Sequence, residues 1–439
     1  MDYTMADILD FVREHDVKFI RLAFCDIFGT QKNISIMPDE LPRAFEYGIS
    51  FDASAVSGFM NIEESDLFLV PDPPTLSIFP WRPSQGRVIR FFCDIKHPDG
   101  SAFEGDGRQI LRKAILEAEK VGYTCKIGSE CEFYLFQLDE RGIPTDQPHD
   151  SGTYCDIAPA DKGENVRREI CLTLEEMGIK PESSHHEEGP GQNEVDFRYS
   201  DALTAADNLI TFKSVVKTVA NRNGLYASFM PKPLLEKSGN GLHINMSLQK
   251  NGKNVFGGCD LDQKGVTENF IAGIMDRIAE MTLFLNPLTN SYARLGGFKA
   301  PKYITWSKQN RSQLIRIPAA AGEYSRMELR SPDPTCNPYL SFALLIMAGI
   351  EGIKKRLALV APEDHNLYEL DSERVAGARL IPENLGAAAE LAQNSDFVKS
   401  VLPLKTIEKF CGMKWEEWEL YKKAYAKNKW ERERYFLHT

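Results

Sequence analysis

Long apolar runs are missing from this 439-residue chain. The longest, LSFALLIMAGI at 340–350, is too short to cross a bilayer and is followed by Glu351, so it reads as a buried helix and no membrane partner is expected. Concentrated positive charge is also missing. Lys and Arg total 52 against 63 Asp and Glu, the formal net charge is −11, and no Lys/Arg run interrupts that balance, which argues against a nucleic-acid-binding surface. The nine cysteines are an odd, scattered set without a C-x-x-C pair, as expected of reduced thiols in a cytoplasm rather than of disulfides or a zinc site. There is no Walker A pattern and no dinucleotide glycine fingerprint, so any nucleotide must be held by another architecture. The opening MDYTMADILDFV carries acids where a secretory signal is basic, and no export is expected. Internal repeats and low-complexity tracts are absent as well.

What is present suits an ordinary soluble globular protein with core enough for two or three domains: 43% hydrophobic and 10% aromatic residues. Two β-rich runs in KFIRLAFCDIFGTQKNISIM flank a turn and predict a hairpin. The Pro/Gly/Asp-dense HPDGSAFEGDGR at 97–108 marks a boundary, with a small β-rich domain before it. Helical spacing then recurs at Ile110, Leu111, Ala114, Ile115 and Ala118, at Val166, Ile170, Leu174 and Met177, and at Ala206, Leu209, Phe212, Val216 and Val219. The segment after about Lys405, ending KWERERYFLHT, reads as a charged helix, either a solvated face or an oligomer arm.

Several strands between these helices carry charge on one face. In GSECEFYLF at 128–136, Glu130, Glu132 and Tyr134 alternate with Cys131, Phe133 and Leu135, so two carboxylates share one side. Buried unpaired, each would cost several kcal/mol, which calls for cations, metal ions or water beside them. GLHINMSL at 241–248 sets His243, Asn245 and Ser247 against an apolar face, with a hairpin turn following; YSRMELRS at 324–331 sets Arg326, Glu328 and Arg330 against Met327 and Leu329; NEVDFRY at 193–199 sets Glu194, Asp196 and Arg198 against Val195, Phe197 and Tyr199. SSHHEEGPGQNE at 183–194 adds Glu187. Carboxylates with one imidazole suit Mg²⁺ or Mn²⁺ rather than zinc or copper, and two such ions flanked by arginines fit phosphoryl transfer.

These motifs, with SFDASAVSGFMNIEESDLFLVPD, NSYARL, NRSQLIRIP and RMELRSPDPTCNPYL, resemble the compact form of bacterial type I glutamine synthetase from end to end. The resemblance implies an α+β protein: a β-grasp domain over 1–100, then a catalytic domain over 101–439 whose antiparallel strands form a funnel surrounded by helices. It implies ATP, glutamate and ammonium as substrates, two or three Mg²⁺ or Mn²⁺ ions, and a dodecamer with sites shared between subunits. Position by position, Glu132, Glu187 and Glu194 match the ligands of one metal and Glu130, His243 and Glu328 those of the other. Arg294 and Arg330 match the glutamate-binding arginines, with Gly239 and Tyr154 beside that pocket. Arg311, Arg316 and Arg326 match phosphate contacts, and Glu182 and Ser247 nucleotide contacts. Asp52, Glu187, Arg294 and Arg311 fall at catalytic positions, Asp52 being given across the subunit interface to deprotonate ammonium.

The chain departs from the family at the nucleophile's entrance. The flap normally reads R-L-V-P-G-Y-E-A-P; here it is RLGGFKAP, with Lys299 in place of the glutamate. Ala55 replaces a serine near Asp52, Ser238 an asparagine of the glutamate loop, and Asn61 an arginine of feedback-inhibited relatives. The primary reading is a ligase that makes glutamine from glutamate and ammonia through γ-glutamyl phosphate. The alternatives are a γ-glutamyl-amine ligase taking an organic amine, and a weakly active regulatory paralogue. Retention of all six metal donors speaks against the last.

Overall fold

The computed structural model describes residues 4–62, 65–82, 85–257, 265–369 and 378–439. The expected hairpin is present: Val17–Cys25 and Gln31–Ile36 run antiparallel, with Ile20 opposite Ile36 and Cys25 opposite Gln31. Asp26 closes its turn by accepting from the Phe28 and Thr30 amides at 3.0 and 2.9 Å. Gly29 is required at the tip, because its φ is +79° and a Cβ there would sit 2.8 Å from the Asn337 Cα. Arg87–Lys96 lies parallel to Val17–Cys25 on its other side, followed by antiparallel Asp66–Pro71 and Ile49–Asp52. This six-stranded sheet is the N-terminal layer.

A buried ionic knot joins it to the rest of the chain. Arg108, 2% exposed, reaches Asp72 and Asp94 of the N-terminal layer and Asp207 of the helix Ala202–Arg222, at 2.8 to 2.9 Å. The helix that carries it, Gly107–Lys120, is capped by Asp106, which accepts from the Arg108 amide.

The second sheet has eleven strands built around Thr124–Leu138. Leu242–Lys250 pairs on one edge of that strand and Gln192–Phe197 on the other, both antiparallel. Pro181–His186 continues outward from Gln192–Phe197, and Met327–Leu329, Ile315–Ile317 and Trp306–Lys308 continue from Leu242–Lys250. The apolar face is backed by helices, with Phe133 and Phe197 packed on Phe212 of Ala202–Arg222 at ring distances of 6.0 and 4.8 Å. The three helices expected from periodicity span Gly107–Lys120, Glu164–Glu176 and Ala202–Arg222, and the apolar run lies in the buried helix Pro338–Lys355.

Three sequence expectations need correction. The strand at 193–199 ends at Phe197, so Arg198 and Tyr199 fall outside it, and only Met327–Leu329 of 324–331 is strand. The C-terminal helix Lys427–Tyr435 is not a wholly solvated face. Its Glu431 is buried and accepts from Thr289 Oγ1 at 2.7 Å and Asn290 Nδ2 at 2.9 Å, while Tyr435 donates to Glu417 at 2.6 Å. Eight cysteines are free thiols, and Cys259 lies outside the described residues.

Candidate active site

Strand register, which the sequence does not carry, assembles the site. Glu130 stands opposite Asp196 on one side and His243 on the other; Glu132 stands opposite Glu194; Asn245 stands opposite Glu328. The polar faces of neighbouring strands therefore form one acidic floor. Its donor atoms group closely enough to share cations: Glu130, His243 and Glu328 lie within 4.8 Å of one another, as do Glu132, Glu194 and His243, and also His185, Glu187 and Glu194. A cavity of about 720 Å³ lies above.

The wall of that cavity includes Glu130, Glu132, Glu187, Glu194 and His243 with Arg294, Arg311, Arg316, Arg326 and Arg330, together with Gly239 and Tyr154. Glu328 is fully buried beneath, tied to the Arg316 and Arg330 guanidinium groups. Glu182 and Ser247 line an adjoining cleft of about 270 Å³ that shares Glu130 and Arg326 with the main cavity. Asp52 lies apart from both, exposed at the end of the N-terminal edge strand Ile49–Asp52, where it accepts from the Ser54 amide at 2.9 Å.

The electrostatics are those of carboxylates awaiting positive charge. Burial, with the nearby Glu187 charge, pushes Glu132 up to about 8, although it accepts from the Gly241 amide at 2.8 Å and from Gln192 Nε2 at 3.0 Å. Burial and the Asp196 and Glu132 charges drive Glu194 well above the ordinary carboxylate range. Burial and Glu130 raise Asp196 to about 6. Glu130 is buried too, but its bond to His243, at 3.2 Å, and the donation from Asn245 Nδ2, at 2.9 Å, hold it down at about 2. Burial opposes ionisation of Glu187, and His185 Nε2 at 3.0 Å together with the Glu188 amide at 2.9 Å and nearby imidazole charge outweighs it, so its pKa falls. The Glu187 backbone is itself fixed: buried His186 sits with Nδ1 2.6 Å from the Glu187 carbonyl and Nε2 2.9 Å from Asp150. Hard oxygen donors with one imidazole, several held against neighbouring like charge, suit Mg²⁺ or Mn²⁺.

The arginines are partly committed. Arg294, buried, spends Nη1 on the Ser331 and Pro332 carbonyls at 2.7 and 3.1 Å and Nη2 on that of Arg330 at 3.1 Å, which aims the rest of its fork into the cavity. Gly239 and Gly241 let the chain pass tightly beneath it. A Cβ on Gly241 would sit 2.6 Å from Arg294 Nη2, and one on Gly239 2.4 Å from the Pro231 carbonyl.

Sequence reasoning did not assign roles to Glu188, His185, Gln192 or Asn245, which support the floor, and it named Asp196 only as a polar-face residue. Asp196 had a usable signal, sharing a face with Glu194 two residues away. Glu188 had none. It meets the flap lysine from far along the chain: Lys299 Nζ forms an ion pair with one Glu188 oxygen, and Ser238 Oγ donates to the other at 3.3 Å. Lys299 also lies 5.8 Å from the Tyr154 ring centre, and the flap holds Phe298 and Lys299 at φ 48° and 63°. The flap lysine is thus fastened over the mouth of the cavity.

Comparison with known proteins agrees with this geometry. Residues 104–435 match the family "Glutamine synthetase, catalytic domain" and residues 16–98 the family "Glutamine synthetase, beta-Grasp domain". A curated glutamine synthetase of Methanosarcina mazei is 48% identical over 437 residues, covering 98% of this chain and 97% of its own. Another, of Clostridium saccharobutylicum, is 46% identical over 439 residues, with 99% and 98% covered. Among solved structures, one described as "GmaS/ADP complex-Conformation 1" superimposes with a TM-score of 0.87 at 30% identity, over 98% of this chain and 99% of the other. Plasmodium falciparum glutamine synthetase gives 0.86 at 25% identity, over 99% of each.

Proposed function

The chain belongs to the glutamine synthetase family, and we propose that its cavity joins glutamate and ammonia into glutamine, driven by ATP, through a γ-glutamyl phosphate. The observation that carries the reading is the acidic floor flanked by arginines, the charge arrangement that phosphoryl transfer needs. We divide the chain near residue 100, into a β-grasp domain over 1–100 and a catalytic domain over 101–439. Two or three Mg²⁺ or Mn²⁺ ions would be held by Glu132, Glu187 and Glu194 and by Glu130, His243 and Glu328, supplying positive charge to phosphate oxygens when bound; the donors of the second set lie within 4.8 Å of one another, whereas in the first Glu194 groups with Glu132 and His243 and, separately, with Glu187 and His185.

The chain's own residues do the rest. Arg294 and Arg330 hold the glutamate carboxylates, with Gly239 and Tyr154 shaping that pocket. Glu182, Ser247 and Arg326 hold the nucleotide in the adjoining cleft, and Arg311 and Arg316 neutralise the phosphoryl oxygens as glutamate's γ-carboxylate oxygen attacks the terminal phosphorus and ADP leaves. Ammonia nitrogen then bonds to the γ-carbon and phosphate departs. The proton that ammonium gives up passes to Glu187 or to Asp52 of a neighbouring subunit. The position of Asp52, exposed and outside its own chain's cavity, supports a site completed by a second copy and an assembly of the dodecameric kind. Free thiols support a cytoplasmic setting.

Phosphate release from ATP and glutamate, with ammonium compared against small organic amines, tests this. Faster release with ammonium supports glutamine synthesis. Faster release with an amine supports the γ-glutamyl-amine reading, which the Lys299–Glu188 pair at the nucleophile's entrance favours as runner-up. Release with neither refutes the ligase.

A further inference from the structure

The N-terminal sheet and the catalytic helices enclose a second cavity, about 890 Å³, that shares no wall residue with the funnel. One wall is the N-terminal sheet, with Arg21 from Val17–Cys25 and Arg90 from Arg87–Lys96. The other is the helix Ala202–Arg222, which contributes Lys213 and, one turn on, Lys217.

Among the described residues, none of these four cations has an ion pair with a carboxylate. Arg90 is only 5% exposed; its Nη1 donates to Thr211 Oγ1 at 2.7 Å, and its buried Nε has no partner. Its guanidinium carbon lies 4.1 Å from the Phe92 ring centre, and Lys217 Nζ 5.9 Å from that of Phe229. The Phe92 ring contact offsets part of the Arg90 burial cost, about 1 kcal/mol, but leaves the Arg90 Nε unanswered. Burial lowers Arg90 to about 10, although the Asp207 charge opposes the shift, and Lys217 stands exposed at the cavity edge with Lys213 as the like charge beside it. Acids at the far end of the cavity are already engaged: Glu417 with Lys414 at 3.2 Å and Tyr435 at 2.6 Å, Glu433 with Lys429 at 3.7 Å. In a chain whose acids outnumber its bases, 63 to 52, four unpaired cations around one hollow mark a place for charge from outside.

We propose that this cavity is a second ligand site, distinct from the funnel, for a small organic anion with two acidic groups, carboxylate or phosphate. One group lies against Arg90 and Arg21 and the other against Lys213 and Lys217, so the ligand bridges the N-terminal sheet to the catalytic domain. The volume is within the range of small-molecule sites.

Calorimetric titration of the full assembly tests it, with glutamate and Mg-ADP saturating to fill the funnel's own anion positions. The probes are succinate, with two carboxylates, and phosphoglycolate, with one phosphate, each against acetate at matched ionic strength. The expected result is that at least one probe binds more tightly than acetate, and that Lys213→Gln with Lys217→Gln weakens it about tenfold or more, the loss of two charge-assisted contacts. Lys213→Arg with Lys217→Arg restores binding. Arg21→Gln, at a partly exposed position, gives the same loss without burying an altered group. Neither probe exceeding acetate, or equal binding by wild type and the Gln variants, overturns the proposal. It is also overturned if the Gln variants break the assembly, since the cations then answer carboxylates of a second copy.

Discussion

Stripping divalent metal from this protein should reverse the usual benefit of neutral pH. Register sets Glu132 opposite Glu194 in a buried floor, and burial with neighbouring charge raises Glu132 from 4.5 to about 8. The folded chain therefore keeps a proton that the unfolded chain releases. The stabilisation from that proton is complete below about pH 4.5 and disappears as pH climbs to about 8. The rise from 4.5 to about 8 is worth on the order of 5 kcal/mol at ~1.4 kcal/mol per unit, against a total stability of about 5–15 kcal/mol for a typical domain. Asp196, raised to about 6, acts in the same direction over the lower part of that window. Glu130, held at about 2, is ionised throughout and contributes nothing to the slope. The assay is thermal unfolding from about pH 5 to about pH 8, once with chelator and once with excess Mn²⁺ or Mg²⁺. Chelated protein should lose Tm steeply across the range, while metal-loaded protein should stay nearly level, because a bound cation removes the reason to hold the proton. Glu132→Gln, neutral at every pH, should make the chelated profile shallower, with the remaining slope coming from Glu194 and Asp196, and melt above wild type at the alkaline end. A chelated wild type as stable at the alkaline end as at the acid end, with Glu132→Gln no different, would refute the assignment of uncompensated charge to this floor.

Other outcomes follow from the same geometry. Glu130→Gln and His243→Ala should each leave a folded subunit with activity reduced by two or more decades, several kcal/mol of lost transition-state stabilisation, and near-normal turnover in either removes that residue from the chemistry. Subunits carrying Asp52→Ala mixed with subunits carrying Glu132→Ala should regain part of the activity that each lacks alone, and mixed assemblies with none argue against a shared site. Lys299→Met should lower the KM for ammonium several-fold by releasing the Glu188 carboxylate, at a stability cost below about 1 kcal/mol because the pair is half exposed; an unchanged KM takes Lys299 out of the nucleophile step. Gly241→Ala should raise the glutamate KM by displacing Arg294, and steady-state kinetics with unaltered glutamate affinity would show that Arg294 does not hold that substrate.

Alternation made the site's strands readable, since His243, Asn245 and Ser247 could only share a face if the segment were β, and Glu130 with Glu132 likewise. Periodicity did the same for the helices around Ile110, Val166 and Ala206. Register was out of reach, because nothing local tells Glu132 to face Glu194 rather than Gln192. Long-range partners were equally hidden. Glu431 looked like surface charge on the C-terminal helix because its partners, Thr289 and Asn290, lie far back in the chain. Lys299 looked like a lost carboxylate because the acid it meets follows Glu187 in a different loop.

That last contact changes what the flap implies. Two departures visible in the sequence, Lys299 and Ser238, converge on the two oxygens of one side chain, Glu188. They are therefore one rearrangement of the cavity mouth rather than two independent losses. A carboxylate still stands at the cavity mouth, but it belongs to the loop after the strand Pro181–His186, whose neighbour Glu187 is fixed through His186 and Asp150. The anion thus sits on a loop tied down by those bonds, and the cation comes from a separate segment that holds Phe298 and Lys299 in the left-handed region. In the proposed reaction, recruitment of ammonium by Glu188 would require this pair to break, which is the state that Lys299→Met mimics.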